Sequence, residues 1–424
     1  MLVAEHNTDT FMLKKLTALP SAVKQYLLIT ANYWFFTLTD GALRMLVLLH
    51  FHHLGYAPLA IAMLFLFYEI FGVVTNLVGG WLGARIGLNK TMNIGLFTQV
   101  IALLMLTVPE QYLTVVWVML AQALSGIAKD LNKMSAKSSI KTLVSSSNEN
   151  EYQTGLFRWV AYLTGSKNAL KGIGFFLGAL LLSMVGFSGA MLIMASVLAI
   201  VFVLSLIVLQ GNLGKAKDKV KFKQIFSNHA SLNYLAGARL FLFAARDVWF
   251  VVALPIYLVS HLGWQHTDVG IFMALWVIAY GIVQGLTPKV FIKNNQHHVN
   301  GHLLYCWGGI LSGVTLLLAL LMFYAPTLNI NAEIIIIVGL FVFGVVFAVN
   351  SALHSYVIVA MAKEDGVSMD VGFYYMANAL GRLLGTVMSG VIYQFTDLIT
   401  CLIISALFAV LSALLIKRIS LTHS

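Results

Sequence analysis

Apolar positions in this chain come in long runs, and polar positions collect in the short connections between them. A helix needs about 20 apolar residues to cross the hydrocarbon core of a bilayer. Twelve stretches reach or approach that length: 26–51, 58–82, 91–108, 113–135, 156–184, 188–209, 232–259, 268–290, 302–325, 334–361, 369–395 and 398–416. None alternates apolar with polar at a period of two, so helices are predicted rather than barrel strands. Helices also satisfy every backbone group internally, as a spanning segment must. The expected fold class is an all-α polytopic membrane protein with 12 transmembrane helices.

Composition agrees. Of 424 residues, 60% are hydrophobic and only 10% charged, with a mean hydropathy of +0.88. A soluble domain carries roughly 25% charged residues, too many for this chain to qualify. The first 25 residues place acids and polar groups ahead of Lys14 and Lys15 and lack an apolar core with a cleavage site. A cytoplasmic tail over 1–25 is expected rather than a signal peptide. Cys306 and Cys401 lie far apart in apolar segments and suggest neither a disulfide nor a thiolate metal site.

The basic residues orient the chain. Lys14, Lys15, Lys24, Arg85, Lys90, Lys215, Lys217, Lys219, Lys221, Lys223, Lys289, Lys293, Lys363, Lys417 and Arg418 all fall on one side. The opposite connections carry only Glu110, Asp268, Glu333 and Asp397. Positive charge marks the cytoplasmic side, so both termini are expected there and the helix count is even. The net charge of +10 thus reads as contact with anionic lipid headgroups, not with nucleic acid.

A basic linker over 211–230 divides the chain into a bundle over 26–210 and another over 231–424. Two short echoes connect them. "HHLGY" at 52–56 returns as "SHLGW" at 260–264, an offset of 208, and "NAL" at 168–170 returns at 378–380, an offset of 210. Nearly equal offsets close to half the chain suggest a duplicated six-helix unit. Two such halves are the architecture of the major facilitator fold, with the substrate site between them at mid-depth.

An ionisable group at mid-membrane costs about 2.5–3.5 kcal/mol on insertion scales and usually faces a bundle interior or a wet cavity. This chain has many: Asp40, Arg44, Glu69, Lys129, Asp130, Lys133, Lys137, Arg158, Lys167, Lys171, Arg239, Arg246, Asp247 and Arg382, with His354 beside Asn350. The third, sixth, ninth and twelfth segments have none. In the major facilitator fold those four face lipid, so the charges fall where a central pathway would run. Basic groups outnumber deep acids, which favours an anionic substrate held by arginine forks and lysine point charges.

Substrate contacts are accordingly expected from Arg44, Lys129, Lys133, Lys167, Lys171, Arg246, Arg382, Asn350 and His354. The bland alternatives are that Lys137 and Lys141 snorkel to headgroups and that Arg239 is a structural pin. A partly desolvated carboxylate binds protons more readily than one in water. Asp40, Glu69 and Asp247 can therefore serve proton coupling, or else only balance charge, with Asp40 neutralising Arg44. "HFHH" at 50–53 sits at an outer helix end without an evident carboxylate partner, so no metal is expected. No nucleophile motif or phosphate loop points to an enzyme or a cofactor.

The connection "GGWLGARIGLNK", 79–90, resembles the gating loop of major facilitator transporters. Gly80, Gly83, Arg85, Gly87 and Lys90 fit, whereas Ala84 stands where that loop usually has aspartate and Leu88 where it often has a basic residue. A closer resemblance lies in "YWFFTLTDGALRMLVLLHFHHLGY", "FLFYEIFGVVTNLVGGWLGARIGLNKTMNIG", "LSGIAKDLNKMSAKSSIK" and "FRWVAYLTGSKNALKGIGFFLG". These look like the ArsJ family, the organoarsenical efflux permeases of bacteria, most strongly over residues 30–180. That resemblance implies export of 1-arseno-3-phosphoglycerate across the bacterial inner membrane by a monomeric secondary carrier. It also implies a functional link to a glyceraldehyde-3-phosphate dehydrogenase. The alternative is a carrier of another phosphorylated or carboxylated organic anion. A membrane enzyme or a channel fits less well, because the charges spread over both halves.

Overall fold

The computed structural model describes residues 21–56, 64–143, 149–209, 213–215, 230–264, 266–293, 296–297, 299–362 and 367–419. Its helices follow the apolar runs, with ends set by caps and breaks. In the first half α1 (Ser21–His53), α2 (Leu66–Ile86), α3 (Leu88–Met105) and α4 (Val115–Leu143) match the first four predicted segments. α5 (Glu149–Val208) is helical except at Gly186, where φ 70° and ψ −179° turn the chain. Glycine tolerates that conformation and other residues resist it. The two limbs of α5 are the predicted fifth and sixth segments.

The second half holds α6 (Ala230–Phe250), α7 (Ala253–Ser260), α8 (His266–Phe291), α9 (Gly301–Leu328), α10 (Ala332–Met361), α11 (Val367–Phe395) and α12 (Leu398–Lys417). α6 and α7 were expected as one segment. Pro255 separates them, because it lacks an amide hydrogen and its ring excludes a helical carbonyl at Val251. A two-residue antiparallel hairpin, β1 (Ile292–Lys293) with β2 (Gln296–His297), follows α8. Asn300, Asn331 and Asp397 start α9, α10 and α12, each accepting from a first-turn amide at 2.8 Å.

α4 continues to Leu143, past the predicted end at 135. Lys137 and Lys141 end the apolar run there, yet lysine is a good helix former. Seven helical runs among the described residues are long and apolar enough to cross a membrane, α5 being one run with two limbs. α1, α4 and α11, of 33, 29 and 29 residues, have the length but carry polar and charged groups instead.

Within the first half α1 packs on α5, and α4 on α2 and α3. Within the second, α6 packs on α11 and α12, and α9 on α12. Between the halves the main contacts are α2 with α11 and α5 with α8. A two-fold relation carrying the first six segments onto the last six exchanges these two contacts. Glycines make both close: a Cβ on Gly80 would stand 3.0 Å from Gly372 Cα, and one on Gly165 2.6 Å from the Gly285 nitrogen. The sequence echoes are structural as well. Gly55 and Gly263, 208 residues apart, both end helices with positive φ, 81° and 71°.

The outer surface is apolar where expected. Phe97 of α3, Ile207 of the second α5 limb, Phe323 of α9 and Leu407 of α12 are all exposed.

Candidate functional site

A cavity of about 320 Å³ lies between the halves. Its lining comes from α1, α2, α4, the first limb of α5, α6, α8, α10 and α11, with Val251 from the break after α6; α3, the second limb of α5, α9 and α12 contribute nothing. Arg44, Lys129, Lys133, Lys167, Lys171, Arg246 and Arg382 all line it, as do Asp40 and Glu69. Asp247 stands directly behind, its side chain 1% exposed. Asn350 and His354 do not line it. Asn350 donates to the carbonyls of Trp307 and Val346 at 2.9 and 3.0 Å, and His354 is buried. Both face the interior packing of α10, where helix periodicity alone could not separate core from cavity.

The charges form a relay across the halves. Glu69 Oε1 accepts from Arg44 Nη2 at 3.0 Å and from Arg382 Nη2 at 2.7 Å, so one oxygen joins α1, α2 and α11. Arg382 Nε also lies 3.5 Å from Asp247 Oδ2, and Asp247 Oδ1 accepts from Arg246 Nε at 2.5 Å. The expected Asp40–Arg44 pair is not formed. Asp40 accepts from the Tyr68 hydroxyl at 2.7 Å and lies 3.8 Å from Lys171 Nζ. The four-residue spacing sets both groups on one helix face, but neighbouring helices supply better partners. Asp130 pairs with Lys133 at 2.6 Å and with Lys129 at 3.7 Å.

Aromatic rings position several cations. Tyr68 carries Arg44 on its face at 4.1 Å and Lys129 at 3.8 Å. Arg239 and Arg246 lie over Phe243 at 4.2 and 4.9 Å. Such contacts stabilise a desolvated cation without neutralising it. Tyr68 was missed in the sequence, although its place beside Glu69 was visible.

Lys137 and Lys141 do not snorkel. Lys137 is 2% exposed and donates to Thr164 Oγ1 inside the cavity. Lys141 donates to the carbonyls of Ala360 and Ala362 at the end of α10. Arg239 lines the cavity and donates to Asn378 Oδ1 at 2.9 Å and to the Ser351 carbonyl at 3.2 Å. The echoed asparagines Asn168 and Asn378 both line the cavity too.

On the face where the lysines concentrate, the halves are closed against each other. Ser368 Oγ donates to the Gly80 carbonyl at 2.8 Å and Tyr356 Oη to Gln153 at 2.9 Å. Gly80 and Gly83, expected in a gating loop, lie within α2 and against α11. Gly87, at φ 96°, breaks the chain between α2 and α3. Arg85 stacks on Trp81 at 5.0 Å, and both Arg85 and Lys90 are exposed. Glycine and serine packing thus joins this end of α2 to α11, with a buried alanine at 84. Of the orienting lysines, Lys14, Lys15, Lys217, Lys219, Lys221, Lys223 and Lys363 lie outside the described residues, as does most of 211–230.

His50 of "HFHH" stacks on Phe187 at 4.1 Å, and its Nε2 lies 4.0 Å from Glu110. A carboxylate does approach this end of α1, contrary to expectation. No cluster of three potential metal ligands occurs among the described residues.

The sequence model of the Major Facilitator Superfamily matches residues 27–296. No curated protein matches the chain. Among solved structures, the human organic anion transporter MFSD10 (TETRAN) is similar at a TM-score of 0.72 and 15% identity, covering 94% of this chain and 100% of that one. A bacterial homologue of the iron transporter ferroportin, in an outward-facing state, is similar at 0.70 and 13%, covering 93% and 99%. The E. coli fucose:proton symporter gives 0.70 and 11%, covering 95% and 100%.

Proposed function

The chain belongs to the Major Facilitator Superfamily and is a membrane transporter, and from that premise we propose that it exports 1-arseno-3-phosphoglycerate, conferring arsenate resistance. One observation carries the anionic half of this reading. Nine basic side chains line the central cavity against three carboxylates, Asp40, Glu69 and Asp130. Even with Asp247 behind them the surplus is large, and a small, multiply charged anion relieves it. The arsenical half rests on the resemblance of residues 30–180 to the organoarsenical permeases. Free arsenite would call for soft thiolates, whereas Cys401 is buried on α12 and Cys306 lies on α9, both away from the cavity.

In this reading Arg44 and Arg382 hold one anionic group of the substrate, which competes with Glu69 for them. The carboxylates then take protons or new partners as the halves rock, and that couples transport to protons. The basic face is cytoplasmic, the membrane is the bacterial inner membrane, and one chain suffices. The deciding experiment supplies everted vesicles with enzymatically made 1-arseno-3-phosphoglycerate or with arsenate. Uptake of the ester alone, increased by a pH gradient, is expected; uptake of arsenate alone or of neither rejects the reading. A second reading is a carrier for a different phosphorylated or carboxylated anion. It is favoured by the cavity's chemistry, which addresses oxyanions in general, and by the likeness to a human organic anion transporter.

A further inference from the structure

The cavity's basic groups divide by what neutralises them. Arg44, Arg246, Arg382, Lys129, Lys133 and Lys171 each reach a carboxylate. Lys137, Lys167 and Arg239 do not: among the described residues no carboxylate lies within ion-pair distance of any of them. Lys137 is 2% exposed and donates to a neutral hydroxyl, that of Thr164. Arg239, 3% exposed, donates to a side-chain amide, a backbone carbonyl and a serine hydroxyl. Lys167 follows Thr164 by one helical turn, lines the same cavity, and has no hydrogen bond or ion pair among the described residues.

Two of the three unneutralised groups, Arg239 and Lys137, also lie nearer the basic face. α6 runs from the basic face inward, and Arg239 precedes Arg246 on it by seven residues, about 10 Å at 1.5 Å per residue. Lys137 likewise lies one turn nearer the basic face than Lys133. The cavity thus has an ion-paired tier around Glu69 and a cationic tier, with Lys137 and Arg239 toward the closed, basic face and Lys167 one turn deeper than Thr164. Three like charges from α4, α5 and α6, partly withdrawn from water and without counterions, are costly to hold together unless an anion joins them.

We propose that Lys137, Lys167 and Arg239 form a phosphoryl subsite, while the tier of Arg44, Glu69 and Arg382 receives the substrate's second anionic group by giving up the Glu69 carboxylate. The inference rests on reading the central cavity as the substrate site, and it deepens that reading. The substrate class is a short anion charged at both ends. A phosphoryl group suits the cationic tier better than a carboxylate, because it offers three terminal oxygens to donors arriving from three helices. Both halves hold the phosphoryl group, since α4 and α5 belong to the first and α6 to the second.

The test uses the full chain in nanodiscs, with 3-phosphoglycerate and glycerate as probes and calorimetric affinity as the readout. The two probes share a carboxylate and differ in the phosphoryl group. Wild type is expected to bind 3-phosphoglycerate at least about tenfold more tightly, a typical effect of one charge-assisted contact. Lys167→Gln is expected to remove about that factor for 3-phosphoglycerate and leave glycerate unchanged, Lys167→Arg to restore it, and Arg382→Gln to weaken both probes. Equal affinity of wild type for the two probes overturns the subsite, and so does an equal loss of both on Lys167→Gln. If Lys167→Gln does not accumulate, the wild-type comparison still decides. No arsenical is used, so the outcomes separate. Failure of the vesicle assay removes the arsenical and leaves the subsite, and phosphoryl-blind binding removes the subsite and leaves the carrier.

Discussion

The two walls of the cavity carry the same sign of charge by different means. The first half contributes Arg44 and five lysines, Lys129, Lys133, Lys137, Lys167 and Lys171, together with all three lining carboxylates. The second half contributes three arginines and no lysine, set among Phe243, Phe250, Trp276, Tyr280 and Tyr375. Guanidinium stays charged under all ordinary conditions and stacks on rings, whereas an ammonium is a compact point charge that can lose its proton. The second wall is therefore a fixed electrostatic surface. All three lining carboxylates stand on the first wall; Lys133 over Tyr375 and Asn168 with Gln284 touch across, and Glu69 with Arg382 is the ion pair that joins the two walls.

The most damaging way to break this comparison is to cut that junction. Arg382→Ala leaves Glu69 with Arg44 alone and Asp247 with Arg246 alone. Two charge-assisted contacts are lost, at roughly 1.5–3 kcal/mol each, so transport in everted vesicles is expected to fall at least about 100-fold with protein still in the membrane. Lys171→Ala, which strips Asp40 of its nearest cation, is expected to abolish resistance as well. Normal transport by both variants would remove them from the pathway.

Exchanging the two kinds of cation sharpens the contrast. Arg246→Lys loses both the contact at Asp247 Oδ1 and the stack on Phe243. The expected loss is about tenfold in transport at unchanged expression, given roughly 1–2 kcal/mol for a desolvated cation–π contact. Lys133→Arg keeps a charge beside Asp130 and is expected to stay within about threefold of wild type. If the two exchanges cost the same, the walls do not differ in the way described.

Much of this site was legible before the structure, because a charge in an apolar run is rare enough to mark a pathway. Arg44, Glu69, Lys171 and Arg382 were found on that ground alone, and the charge-free third, sixth, ninth and twelfth segments face outward. Partner choice was not legible. Asp40 and Arg44 share a helix face, but Tyr68 and Lys171 take one and Glu69 takes the other, a competition among helices far apart in sequence. Lys137 and Lys141 defeated the expectation of snorkelling for a similar reason: Thr164 of α5 takes one and the carbonyls that end α10 take the other, and only tertiary packing says so. Asn350 and His354 failed because every face of α10 near them is apolar or small, and nothing local marks which face is core.

The smallest expected effect concerns the seal on the basic face, where neutral hydrogen bonds and glycine packing join the halves. Ser368 Oγ to the Gly80 carbonyl is one neutral hydrogen bond among several contacts there, and such a bond contributes about 1 kcal/mol net. Ser368→Ala leaves the close backbone approach of Gly80 and Gly372 intact, so the seal is weakened rather than lost. The population with the basic face open is expected to rise about fivefold. Spin labels at the basic-face ends of α4 and α10 would report it as a larger fraction of long distances. Because the change touches neither wall, probe affinity at the outer, ion-paired tier should not move apart from that population shift. A loss of affinity larger than fivefold would mean that the seal and the charged walls act as one unit, and the division between them would have to be redrawn.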